Sequence, residues 1–366
     1  MPTIDTRWNL LSHRSVILEN RALRVVVLPE LGGRIWSIVY KPRDRELLWH
    51  NPRIPPQKAP FGAPFDNVWC GAWEEMFPTP APGVINGETY PDHGEVWSLA
   101  WDATTESQQE SVTLQLRCET PISAIRMEKR ITLREGEARL EVAYSLTNLS
   151  QSDFPFLFAL HPAFQVTPRC RLDFPPMSVE LEPTYPGSLV GVQSPFAWPF
   201  ATRGGKPVDL RIVQPDSSGE VYFFYGTNFR EGWCAITDTR ERLTRGLVFS
   251  PEVFRSCWLF ATYGGWRNYQ VAILEPCTSY PQQIEQAIQK GQASTLPKGG
   301  KLETTVVFQV QEGLSSVSGL GTDGSFREVP SSLAGRGRLQ ARTRESCSVE
   351  PLPGNAQSRC GRRTNP

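Results

Sequence analysis

The sequence predicts an all-β fold: large antiparallel sheets in a sandwich with one or two short helices. Three observations carry that expectation. Apolar and polar residues alternate over many segments, β-branched and aromatic runs sit between Gly, Pro, Asn and Asp clusters, and helical patterns of roughly 10–15 residues do not separate the strands. The last point argues against βαβ units and a parallel sheet, leaving an antiparallel sandwich or barrel.

In chain order, 23–28 (LRVVVL) and 34–40 (RIWSIVY) are β-branched and aromatic runs, and Pro-Glu-Leu-Gly-Gly at 29–33 separates them. Period-two alternation marks 111–117 (SVTLQLR) and 138–145 (ARLEVAYS). The aromatic run 221–225 (VYFFY) and the run 269–274 (YQVAIL) follow, and 301–310 (KLETTVVFQV) alternates again. One helix is expected just after residue 277. Thr278 and Ser279 are capping types, Pro281 suits a first turn, Ile284, Ala287 and Ile288 form a stripe, and Gly291 offers a stop.

Residues 1–312 read as one β-rich domain. The text changes after Gln311: 313–366 is rich in Ser, Gly, Pro and Arg, with eight Arg and no Lys against Asp323, Glu328, Glu345 and Glu350. That basic segment is expected to be a disordered tail, because it has too little apolar surface to offset its chain entropy. Its removal is expected to leave stability nearly unchanged.

Lys plus Arg and Asp plus Glu are both 38, so the 366-residue chain has no formal net charge. A nucleic-acid partner would ask for a basic surplus on the folded part. No apolar run approaches the roughly 18 residues of a membrane span, and the amino terminus lacks the basic-then-apolar pattern of a secretory signal. A cytoplasmic monomer or homodimer, with no nucleic-acid or membrane partner, is the expectation. The eight cysteines are scattered without a CxxC pair and read as buried thiols; with four histidines and no HExxH, no metal site is expected.

Three polar residues stand in unusual surroundings. His161 follows the apolar run 154–160 and precedes Pro162, so it is expected at a strand end. His93 lies in the turn-like Tyr-Pro-Asp-His-Gly-Glu at 90–95. Glu275 follows the apolar 271–274 and precedes Pro276, where burial would raise its pKa and suit it to general-base work. A structural histidine and a strand-edge charge are the competing readings of these residues.

Over about 20–310 the chain resembles the aldose 1-epimerase family, whose fold is the galactose mutarotase-like β-supersandwich. The resemblance rests on VVVLPELGGR at 25–34, ELLW at 46–49, Phe77-Pro78, DHGEVW at 92–97, LHPAF at 160–164 and LEPCT at 274–278. It implies that His161 is a general acid, Glu275 a general base and His93 a sugar-binding residue, and that catalysis needs no metal or organic cofactor. A small-molecule carbohydrate is the implied partner. Where the family usually carries an arginine near Phe-Pro, this chain reads GAWEEMFP, so Glu74 or Glu75 is expected to accept sugar hydroxyls and Arg34 to supply a cation. Asp216 and Asp238 are the candidates for the family's binding aspartate. Trp73 and Trp266, flanked by Gly and polar residues, are expected to stack on the sugar. The implied function is anomer interconversion, with a non-catalytic carbohydrate-binding supersandwich as the alternative.

Overall fold

A computed structural model describes residues 1–328, which carry two large antiparallel sheets. Eleven strands of the first follow in spatial order Thr3–Leu10, His13–Glu19, Leu23–Leu28, Arg34–Tyr40, Trp73–Met76, Ala159–Gln165, Gln270–Cys277, Ser256–Tyr263, Glu220–Thr227, Ser178–Leu181 and Phe196–Ala197, and Arg45–Glu46 pairs beside Arg34–Tyr40. The second has eight: Cys170–Asp173, Trp233–Asp238, Leu243–Val248, Lys301–Glu312, Arg139–Asn148, Ile125–Arg134, Ser111–Glu119 and Asp102–Ser107. The expected sandwich is therefore the observed one. The alternating segments lie in the second sheet, and the apolar and aromatic runs lie in the first.

The main core lies between the sheets, where Phe164 from the first stacks on Phe308 from the second at 6.3 Å. Because successive side chains of a strand point to opposite faces, the first sheet contributes one set of residues to this core and another to a cleft on its far side. The four residues Trp73–Met76 show the division. Trp73 and Glu75 face the core, where Lys129 Nζ lies 2.7 Å from Glu75 Oε2 and Tyr144 Oη donates to Glu75 Oε1 at 2.7 Å. Glu74 and Met76 face the cleft. A carboxylate sealed in the core is tolerated because the Lys129 ammonium and the Tyr144 hydroxyl replace the water it lost.

Both candidate catalytic residues lie inside strands and not at strand ends. The strand Ala159–Gln165 runs through His161 and Pro162, and Gln270–Cys277 runs through Glu275 and Pro276. Proline lacks an N–H to give to a ladder. Accordingly the pairing of these two strands holds at Ala159↔Cys277 and from Ala163↔Ile273 onward, and lapses between.

The helix after Gln270–Cys277 starts later than expected, spanning Ile284–Gln289 with Gln283 at its amino end. Thr278 and Ser279 do not cap it: Thr278 Oγ1 accepts from the Phe158 N–H at 3.0 Å, and Tyr280–Pro281 forms a cis turn before the helix begins. Ile284 and Ala287 are buried, whereas Ile288 is exposed. A second short helix, Phe65–Val68, has no counterpart among the elements read from sequence. Six cysteines of the described residues are free and buried; Cys347 and Cys360 lie outside the described residues.

The boundary expected at 312 is corrected by the packing beyond it. Leu314, Val317 and Leu320 are buried against Trp233, Ala235, Val248 and Val307 on the outer face of the second sheet. The strands Gly319–Leu320 and Phe326–Arg327 pair, the Val317 N–H donates to Asp173 Oδ2 at 3.0 Å, and Arg327 pairs with Glu231 at 2.6 Å. Three apolar side chains within seven positions suffice here because a half-covered sheet face is already waiting for them. The remainder of the expected tail, 329–366, lies outside the described residues. Leu320→Ala should lower unfolding free energy by about 2–4 kcal/mol, the usual cost of truncating a buried leucine. Urea denaturation checks this: an unchanged midpoint would return residues 313–328 to the tail.

Candidate functional site

The site is built by register. On adjacent strands, directly opposite residues place their side chains on the same face. Glu74 is opposite His161, and Glu275 is opposite Trp258. The pairs Ala159↔Cys277 and Ala163↔Ile273 bracket His161 and Glu275, which therefore sit opposite one another. Glu74, His161, Glu275 and Trp258 thus form one row across four neighbouring strands, on the cleft face.

Over this row opens a cavity of about 320 Å³, near the lower end of the roughly 300–1,000 Å³ of small-ligand sites. Its polar lining comes from His93, His161, Glu275, Asp66, Tyr185 and Gln282. Its walls are mostly aromatic: Phe65, Trp69, Phe223, Trp258, Phe260 and Trp266. The Trp69 and Trp258 N–H groups are already spent, on Glu74 Oε1 at 2.8 Å and Ser279 O at 3.2 Å. These two rings consequently bring apolar faces and no free donor.

His93 reaches the cavity from a loop tied to the sheet. Phe77 bridges to Gly94, the Glu95 N–H donates to Phe77 O at 2.6 Å, and the His93 N–H donates to Pro80 O at 2.9 Å. Gly94 has φ +73°, and a Cβ there would stand 2.0 Å from Phe77 O, so the glycine after His93 is a steric requirement of this turn. The His93 ring stacks on Phe65 at 3.5 Å and meets the His161 ring edge-on at 5.3 Å, with His93 Nδ1 held 3.0 Å from Asp92 Oδ1.

Glu275 is the electrostatic outlier. No hydrogen bond from a described residue reaches its carboxylate, and it is 3% exposed. Burial pushes its carboxyl up to about 8; the nearby His93 pulls it down in part and the Glu74 charge raises it further. Glu74 behaves oppositely. Burial alone would raise it, but the Arg34 guanidinium 3.0 Å away and the His161 hydrogen bond hold it below the usual carboxylate range.

Six candidate sugar contacts are not in the lining. Trp73 points into the core between the sheets and is fully buried there, because the alternation of its strand gives the cleft face to Glu74 and Met76. Glu74 faces the cleft side but is sealed beneath His161, Trp69 and Arg34. Arg34 is buried too, donating to Gly71 O at 2.6 Å, and is occupied by Glu74. Asp216 lies in the exposed turn Asp216–Ser218, where it accepts from the Ser217 N–H, and Asp238 caps the turn at 240–241. Glu75 belongs to the core. His93, His161, Glu275 and Trp266 do line the cavity.

Sequence reasoning missed Phe65, Tyr185, Phe223, Phe260 and Gln282. Phe223 and Phe260 were open to detection: period two in 221–225 and 258–260 puts them on the face of Trp258. Phe65 and Tyr185 lie in irregular text and carry no comparable signal.

Residues 14–181 match the aldose 1-epimerase family. The matched stretch contains His93, His161 and Glu74, and Glu275 lies beyond it. The fold is that of galactose mutarotase-like proteins. A galactose mutarotase-like protein from Clostridium acetobutylicum superposes with a TM-score of 0.63 at 12% identity, covering 85% of this chain and 99% of that one. Another from Lactobacillus casei gives 0.57 at 17%, covering 81% and 100%. A Synechocystis sp. PCC 6803 protein gives 0.60 at 17%, covering 82% and 96%. At these identities the likeness speaks for the fold, and the family match carries the connection to sugar epimerases.

Proposed function

We propose that this chain is an aldose 1-epimerase-like isomerase that interconverts the anomers of a free or modified aldose. The observation that carries the reading is the opposition of His161 and Glu275 across two adjacent strands under one aromatic cavity. Ring opening needs a base for the anomeric O1–H proton and an acid for the ring oxygen. Glu275 as carboxylate takes the O1 proton, the O1 lone pair forms C1=O, the C1–O5 bond breaks, and O5 takes a proton from the His161 imidazolium. Rotation about C1–C2 turns the other carbonyl face to the O5 hydroxyl. His161 then accepts the O5 proton as O5 attacks C1, and Glu275 returns its proton to O1. Atoms, charge and catalyst are restored, and each side chain has served once as acid and once as base.

The environment suits these steps. A carboxylate that is desolvated and without hydrogen-bond donors is a stronger base than one in water. The C–H face of a pyranose packs on Trp266, Trp258 or Phe260, while His93 is within reach to donate to a hydroxyl. Polarimetry of freshly dissolved aldoses tests the proposal. Optical rotation should relax faster with the protein than without it for at least one sugar of a broad panel. Binding without acceleration for every member of the panel would replace this reading with a carbohydrate-binding module.

A further inference from the structure

We infer that Glu74 is a positioning residue that fixes the proton of His161 on Nδ1 and so leaves Nε2 as the nitrogen that exchanges protons in the cavity. The inference deepens the proposed function and rests on it for its catalytic meaning, although its structural content can be tested alone. Three contacts converge on this one fully buried carboxylate. Oε1 lies 3.0 Å from His161 Nδ1 and accepts from Trp69 Nε1 at 2.8 Å, and Oε2 lies 3.0 Å from the Arg34 guanidinium. Glu74 and His161 are directly opposite in register, so the backbone ladder itself sets their approach.

The chemistry follows from the charge on Glu74. A carboxylate with a guanidinium beside it stays ionised at neutral pH, and an ionised carboxylate can only accept. His161 Nδ1 must therefore carry its hydrogen toward Glu74. The neutral imidazole then has its lone pair on Nε2, and proton uptake and release occur there, on the side away from Glu74. Arg34 matters because burying the carboxylate unpaired would favour its protonation, and a protonated Glu74 would compete as a donor. Trp69 donates to the carboxylate and places its own ring edge-on to His161 at 5.6 Å. Phe65 packs against His161 from another side at 5.7 Å, so the imidazole has little freedom to turn over. The other titratable groups lining the cavity with His161 are His93, backed by Asp92, Glu275, Asp66 and Tyr185; among the described residues none of them is hydrogen-bonded to Nδ1.

This arrangement also accounts for the acidic text in GAWEEMFP. Glu75 is committed to Lys129 in the core, and Glu74 is spent on His161, so neither is available to a sugar.

The test is nitrogen-15 NMR of the histidine side chains, with the His161 signals assigned by their loss in His161→Asn. In the wild type at a pH where His161 is neutral, the spectrum should show the Nδ1–H tautomer. Glu74→Leu should give the Nε2–H tautomer or a mixture. It should also lower kcat for anomer exchange by about 10²-fold, within the roughly 10²–10⁴-fold that a placed acid or base contributes, with little change in KM. Glu74→Gln, which retains an acceptor oxygen, should recover part of that loss. Because Arg34 would be stranded in these variants, the pairs Arg34→Met/Glu74→Leu and Arg34→Met/Glu74→Gln serve if the single variants do not fold. A wild-type His161 protonated on Nε2, or a folded Glu74→Leu protein with unchanged tautomer and kcat, overturns the inference. Absence of exchange by the wild type would overturn the proposed function and leave the tautomer result to decide this one.

Discussion

Glu275→Gln is expected to reduce anomer exchange by roughly 10²–10⁴-fold, the range contributed by a positioned general base. Glutamine keeps the size of the side chain and can still hydrogen-bond the anomeric hydroxyl, so sugar affinity should fall only modestly. The loss should therefore appear in kcat with KM nearly constant, as expected for an interaction that matters in the transition state. His161→Asn should show the same pattern through loss of the acid. Since the two residues act as one relay, the double variant should be little worse than either single one. The wild-type profile adds a check. Only the ionised carboxylate can take the proton, and burial raises that carboxyl to about 8. Because the step needs Glu275 ionised and His161 protonated together, the kcat/KM profile should be bell-shaped, with one of its two limbs near pH 8, well above the usual carboxylate range. A limb near pH 4–5 would show that Glu275 is solvated in the working enzyme.

The same buried carboxylate should make the fold sensitive to alkali. The Glu275 pKa is raised from an ordinary 4.5 to about 8 on folding. Between those values the folded chain holds a proton that the unfolded chain has released, so stability falls as pH rises through the window. Each pH unit costs about 1.4 kcal/mol there. From pH 5 to pH 8, wild type should lose about 3–4 kcal/mol relative to Glu275→Gln, which has no charge to bury. Urea denaturation of both proteins at the two pH values reads this directly, with titrations common to both cancelling in the difference. Parallel stability profiles would mean that Glu275 ionises in the folded protein as easily as in water. The expected trade is a variant that is more stable at alkaline pH and nearly inactive, which is how a strained functional group behaves.

Much of the architecture was legible because alternation is a local signal. SVTLQLR and ARLEVAYS need only their own period to become strands of the second sheet, one on either side of Ile125–Arg134. The helix boundary was not, since Thr278 and Ser279 look like caps until Phe158, 120 positions away, donates to the Thr278 hydroxyl. The segment Leu314–Leu320 failed for a related reason: its three apolar residues bury little surface by themselves, and only the exposed outer face of the second sheet gives them somewhere to go. At the site, His161, Glu275 and His93 stood out by their local surroundings, but their roles came from the family resemblance, because residues 68 and 114 positions apart carry no spacing signal. Trp73 and Glu74 were misassigned although period two in Trp73–Met76 sets them on opposite faces. What the strand alone could not reveal was which face belonged to the cleft. That depends on its neighbour Ala159–Gln165, whose His161 lies opposite Glu74.

Magnetisation-exchange NMR at anomeric equilibrium, with wild type and Glu275→Gln side by side over a panel of neutral and modified aldoses, tests the central claim most directly. It reads interconversion itself, independently of how tightly a sugar binds. The account predicts exchange between the two anomeric C1–H signals, well above the solution rate, for at least one sugar with wild type, and a return to that rate with Glu275→Gln. Equal rates for wild type, variant and buffer, with a sugar demonstrably bound in the cavity, would contradict it.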